Sequence, residues 1–126
     1  MRETPRRRIL ADASGTTALE FAFVAPVFLL MVVGGIYLGL MMFAMGSLQD
    51  AVEQAARCWS VQTTVCTDAS STQSYAQSHY YGPAVSPTFT ASSASCGHSV
   101  TGTISYGWNF GQSTTNVPLT ATACFP

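Results

Sequence analysis

The stretch FAFVAPVFLLMVVGGIYLGLMMFAM, residues 21–45, carries no charged side chain and is almost wholly apolar. As a helix these 25 residues reach ~38 Å at ~1.5 Å per residue. The hydrocarbon core of a bilayer is ~30 Å thick, so the segment can cross it with tilt. Directly before it stands GTTALEF, residues 15–21, whose one carboxylate is Glu20. An acid at the centre of a spanning helix costs about 2.5–3.5 kcal/mol, and less near an interface. Glu20 is therefore a functional-site candidate by default.

The other charges are unevenly placed. Arg2, Arg6, Arg7 and Arg8 precede the apolar run, and Asp50, Glu53, Arg57 and Asp68 follow it. From Ala69 to Pro126 there is no charged side chain, and the chain has no lysine. Arginines on the N-terminal side predict a cytoplasmic N-terminus and an exported C-terminal part. A net charge of −1 leaves no basic footprint for nucleic acid. A cleavable secretory signal would have an apolar region of about 7–15 residues and a small-x-small site behind it. This run is longer, and Phe43-Ala44-Met45-Gly46 fits such a site poorly.

Cys58, Cys66, Cys96 and Cys124 all follow the run. An even count on the exported side reads as disulfides in an oxidising compartment, in agreement with the topology drawn from the arginines. Four cysteines allow three connectivities. The favoured one joins Cys58 to Cys66, stapling the helix end to the next loop, and Cys96 to Cys124, joining the strand region to the C-terminus.

Helical spacing continues past the run. Leu48, Val52, Ala55, Ala56 and Trp59 share one side, while Gln49, Asp50, Glu53, Gln54 and Arg57 take the others. Glu53 and Arg57 stand in the favourable i,i+4 order for an ion pair. One helix from about Thr16 to about Trp59 is expected, lipid-facing or among like helices first and amphipathic afterwards. Pro26 lies inside it, which spanning helices tolerate. Gly35 and Gly39 form a small-xxx-small pair, which suits close helix packing but is also common in such helices.

Ser70 or Ser71 is expected to cap a second helix that stops near Tyr81 and Gly82. Beyond it, Val100, Ile104, Tyr106, Trp108 and Phe110 alternate with Thr, Ser and Asn, the period of a half-buried strand. Val117, Leu119, Ala121, Ala123 and Phe125 repeat the pattern, with a turn at Gly111–Asn116 between the two runs. Val85–Ser93 is a third strand candidate, placed at an edge by Pro87. The expected fold is α+β: a long N-terminal transmembrane and amphipathic helix packed on a small antiparallel three-stranded sheet, stapled by disulfides. The expected divisions are a basic cytoplasmic leader (1–15), a transmembrane helix (16–46) and an exported domain (47–126).

The leader, Gly15, Glu20 five residues later, and the long apolar helix resemble type IV pilin-like precursors. The local text from Gly15 through Glu20-Phe21 to Pro26-Val-Phe, with Leu48-Gln-Asp-Ala-Val-Glu-Gln-Ala-Ala-Arg57 behind the run, is similar to the TadE/TadG-like pseudopilins of tight-adherence (Tad, Flp-type) pilus systems. The resemblance covers residues 13–58 and is silent on the exported domain. It implies cleavage by a prepilin peptidase between Gly15 and Thr16, with Glu20 then fifth in the mature chain and Phe21 sixth. It implies as partners that peptidase, other pilins and pseudopilins, and the inner-membrane assembly platform. Major Flp pilins are much shorter after processing, so an exported domain implies a minor component.

The chemistry accommodates this. Glycine before the cut leaves the backbone open to a catalytic pair. After the cut Glu20 can pair with a terminal ammonium, its own or a neighbour's, and a paired charge is tolerable in low dielectric where a lone one is not. The plainer reading keeps Glu20 in the headgroup layer; Gly15 at the right distance and the arginines before it favour assembly.

No nucleophile–base–acid set is visible, no cofactor is implied, and the expectation is a non-enzyme. Cys96-Gly97-His98 with His79 is a poor zinc set, because paired cysteines are unavailable as ligands. His79 among Tyr75, Tyr80 and Tyr81 reads as part of an aromatic face. The alternative function is a single-span, membrane-anchored periplasmic binding or structural module with an uncleaved anchor.

Overall fold

A computed structural model describes residues 14–83 and 86–126 of the chain. The leader residues 1–13 and Val85, the expected start of the third strand, lie outside the described residues. The chain divides into two compact units, one ending at Leu38 and the other spanning Gly39–Pro126.

Helix α1 runs from Ser14 to Val61 with Pro26 inside it. In the first unit its large apolar side chains are exposed, among them Phe21, Phe23, Val27, Leu30, Met31 and Ile36. Burying such a side chain is worth about 1.5–3 kcal/mol. A face this large needs lipid or other helices around it.

In the second unit α1 becomes one-sided. Ala44, Ser47, Leu48, Ala51, Val52, Ala55 and Ala56 are buried, while Gln49, Glu53 and Arg57 are exposed. The buried positions recur every three to four residues, the period of a helix lying on a core. Among the described residues Glu53 and Arg57 form no ion pair, contrary to the expectation from their spacing. Both side chains are solvated, where such a pair gains little over hydration.

Helix α2, Ala69–His79, differs from expectation at both ends. Its cap is Asp68, not Ser70 or Ser71. The Asp68 backbone is extended, and its carboxylate accepts the Ser71 N–H at 2.7 Å while the Ser71 hydroxyl accepts the Asp68 N–H at 3.0 Å. This is a reciprocal capping box with serine in the usual place of glutamate. The helix stops at His79, before Gly82, because the Tyr81 N–H donates to the Ser47 hydroxyl at 2.9 Å instead of continuing the helical ladder.

Three strands, β1 (Thr88–Ala94), β2 (Gly97–Phe110) and β3 (Ser113–Phe125), pair antiparallel in the order β1-β2-β3. Val100, Ile104 and Tyr106 are buried on the inner face. Their cross-strand partners Ala123, Leu119 and Val117 share that face. The expectation for the Trp108 and Phe110 side chains falls outside what the structure describes. The turn between β2 and β3 is Gly111–Gln112, shorter than the expected Gly111–Asn116, because Phe110 pairs with Ser113. Gly111 has φ +60°, and glycine at the first central position suits a two-residue hairpin turn.

The outer face is hydroxyl-rich. Thr88, Thr103 and Thr120 form one row across the sheet, and Thr90, Thr101 and Thr122 form the next. The Thr101 and Thr122 hydroxyls bond each other at 3.1 Å.

Helix and sheet meet at Gly102. A Cβ there would lie 2.8 Å from Leu48 Cδ1, 2.8 Å from Phe89 Cε1 and 3.0 Å from Val52 Cγ1. The missing side chain lets α1 and β1 converge on β2. Disulfides join Cys58 to Cys66 and Cys96 to Cys124, with Cα–Cα distances of 5.8 and 6.3 Å.

Candidate functional site

Gly15, Thr16, Glu20 and Phe21 all lie at the start of α1 and all are exposed. The Gly15–Thr16 bond falls in the first described turn, and a Cβ on Gly15 would meet nothing within 4 Å. Thr16 and Glu20 are four residues apart and share one helix face. The helix thus presents an open peptide bond and, one turn on, a carboxylate.

Behind them the helix is apolar on every side. From Leu19 to Phe43 most of its large apolar side chains are exposed, up to 73% at Phe23 and Met31, with Tyr37 and Met41 half-buried. It is the one helix among the described residues long and apolar enough to cross a membrane, and it lies near the N-terminus. An amphipathic surface helix would show a polar stripe along this length.

The second unit carries two further features. A cleft of ≈ 490 Å³ is lined by Asp50, Glu53, Gln54 and Arg57 of α1 and by 122–125 of β3. Within it Gln54 Nε2 donates to Asp50 Oδ2 at 2.7 Å. The histidines are engaged separately. His79 stacks on Tyr75 with centroids 4.0 Å apart, its Nδ1 lying 2.9 Å from the Tyr75 carbonyl oxygen, and His98 stacks on Trp59 at 4.3 Å. Among the described residues no three His, Cys, Asp or Glu side chains gather as a metal site would require.

Charge and burial act on single groups here. The Ser71 backbone N–H, then its hydroxyl, hold the Asp68 carboxyl below the ordinary value of 3.8. The negative charge of Asp50, with burial second, raises the Tyr81 phenol above 10.0. Burial alone raises Tyr80.

Comparison with known families returns a match over residues 15–57 to the family described as TadE-like protein. It begins at Gly15 and ends at Arg57, one residue before the first cysteine. This segment is TadE-like. The family expected from the quoted residues is the one found. The TadE-like segment takes in the exposed apolar helix and the turns of α1 that face the sheet, and none of the sheet itself. No curated protein and no solved structure gives a significant match to the chain.

Ser47 and Gly102 are absent from the sequence-based candidates. Ser47 is 2% exposed and fixes the end of α2, and Gly102 sets the contact between helix and sheet. Ser47 could have been found as a serine standing in the apolar row of Ala44, Leu48 and Ala51. Gly102 could have been found as the gap between Val100 and Ile104.

Proposed function

We propose that this protein is a minor pilin or pseudopilin that takes part in assembling or initiating a Tad (Flp-type) type IV pilus. The observation that carries the reading is the TadE-like match that starts at Gly15, with Glu20 one helical turn beyond Thr16. The basic leader stays in the cytoplasm, α1 crosses the inner membrane, and the disulfide-bonded domain lies outside. A prepilin peptidase removes the leader after Gly15. The new ammonium of Thr16, or that of a neighbouring subunit, then becomes the partner of Glu20.

The role is structural and not enzymatic. α1 supplies the surface for other pilins and the assembly platform, since its exposed apolar side chains need company in the membrane. Mass spectrometry of the N-terminus of the membrane-extracted protein tests the reading. A chain beginning at Thr16 is expected. An intact peptide spanning residues 10–20 would overturn processing and favour the retained-anchor alternative.

A further inference from the structure

The two edges of the sheet differ. Helix α2 packs against β1 at one edge. At the other, β3 runs for 13 residues and has no strand beyond it. The direction of its backbone groups follows from β1 and β2. The Thr90 and Thr103 hydroxyls donate to the Thr101 and Thr88 carbonyl oxygens at 3.4 Å, between those two strands. Odd-numbered residues of β2 thus face β1, and even-numbered ones face β3. Val100 and Gly102 pair with Ala123 and Ala121, so the even-numbered residues of β3 turn their backbone groups outward. Pro118, which has no N–H to give, falls on this outward set, where an edge proline belongs. Thr120, Thr122 and Cys124 fall on it too, and their outward N–H groups meet no partner among the described residues. Edge strands are usually guarded by charge, proline or a bulge. Residues 119–125 have no charge, no proline and an unbroken register.

The cleft of ≈ 490 Å³ opens along this edge. β3 lines it with Thr122 and Cys124 of the outer face as well as Ala123 of the inner face, and no described residue of β2 does. The facing wall is α1. Ser60 donates to the Phe125 carbonyl oxygen at 3.1 Å, and Gly102, the partner of Ala121, lies against Leu48 and Val52. Moving from Phe125 to Ala121 therefore moves back along α1. Arg57 stands toward the Phe125 end of the cleft, and Glu53 and Asp50 stand toward the Ala121 end. Glu53 and Arg57 are exposed and spend their charges on no ion pair among the described residues.

We propose that this cleft is a strand-addition site: an extended segment of another protein pairs antiparallel with β3 at 120–124 and points alternate side chains into the cleft beside Ala121 and Ala123. The added main-chain bonds satisfy the outward groups of the edge, and the small alanines leave room for the incoming side chains. Charge complementarity sets the chemistry of the segment. Running antiparallel to β3, it passes Arg57 first and Glu53 and Asp50 next. It therefore carries an acidic side chain followed two residues later by a basic one. A second copy is a poor occupant, because the strands of this chain carry no charged side chain. The site stands apart from the assembly reading, since it needs neither cleavage after Gly15 nor Glu20.

Fluorescence anisotropy tests this on the full chain in detergent micelles, with the labelled peptide Thr-Val-Thr-Glu-Thr-Lys-Thr-Val-Thr as probe. Saturable binding is expected. N-methylation of the two threonines beside the lysine, whose N–H groups face β3, should weaken it about tenfold. N-methylation of the glutamate and lysine, whose N–H groups face away, should not. Glu53→Lys combined with Arg57→Glu exchanges the charges of the wall, and should switch preference to the probe with its glutamate and lysine exchanged. No saturable binding, indifference to N-methylation or an unchanged preference would each overturn the proposal. Dimerisation that Thr122→Pro abolishes, with no probe bound, would give the edge to a second copy and overturn it as well.

Discussion

The buried Ser47 hydroxyl of α1 accepts the backbone N–H of Tyr81 at 2.9 Å, across 34 residues of sequence. This one bond ends α2 and ties the loop behind it to the long helix. Ser47→Ala removes the acceptor and strands a backbone donor, which costs about 1–3 kcal/mol. The expected result is a lower midpoint in urea unfolding of the detergent-solubilised protein, read by circular dichroism. An unchanged midpoint would show that water replaces Ser47 without loss.

Gly102→Val should destabilise the domain more than valine does at a typical exposed strand position. Its side chain would press on Leu48, Val52 and Phe89, and overpacking of this kind costs about 1–3 kcal/mol. Leu48→Ala in the same chain should recover part of the loss by opening space. A double-mutant cycle on unfolding midpoints checks this, and simple additivity would contradict the contact.

The two disulfides should differ in worth. Cys96–Cys124 closes a separation of 28 residues and Cys58–Cys66 a separation of 8. On the chain-entropy model the longer loop contributes about 1 kcal/mol more. Paired Cys→Ala variants, compared by thermal unfolding, should rank in that order.

Acid should loosen the start of α2. The folded Asp68 carboxyl is held below its ordinary value by Ser71, so its stabilising effect is present above about pH 4, the unfolded value. It is lost as the pH falls further, through the depressed folded value. Faster amide exchange at Ser71 below pH 4, absent in Asp68→Asn, is the expected signature.

On the proposed pairing of Glu20 with a terminal ammonium, Glu20→Ala should leave insertion intact and impair piliation. Membrane fractionation checks the first outcome and electron microscopy of filaments the second. Normal piliation would remove the assembly role from Glu20.

Much of this architecture is legible in the sequence because its signals are local and periodic. The uncharged run 21–45 marks the long helix by length alone. Alternation through Val100, Ile104 and Tyr106 marks β2, and the row of Leu119 and Ala121 marks β3. What escaped depends on partners far along the chain. The stop of α2 is set by Ser47, not by the nearer Gly82, and no local rule foretells that. Gly102 is unremarkable until Leu48 and Phe89 are brought to it. The cap at Asp68 was local and still missed, because Ser70 and Ser71 offered the same chemistry two and three residues later. The family match over 15–57 agrees with the resemblance read from that segment, since the segment's text is itself the signal, and the roles of Gly15 and Glu20 rest on the experiments proposed for them.

The threonine rows on the outer sheet face have a consequence for neighbours. A surface of hydroxyls without charge neither attracts nor repels another copy over a Debye length, ~8 Å in physiological salt. Two copies that meet through these rows do so with no electrostatic penalty across that face, and changes in ionic strength leave the contact between the two faces untouched.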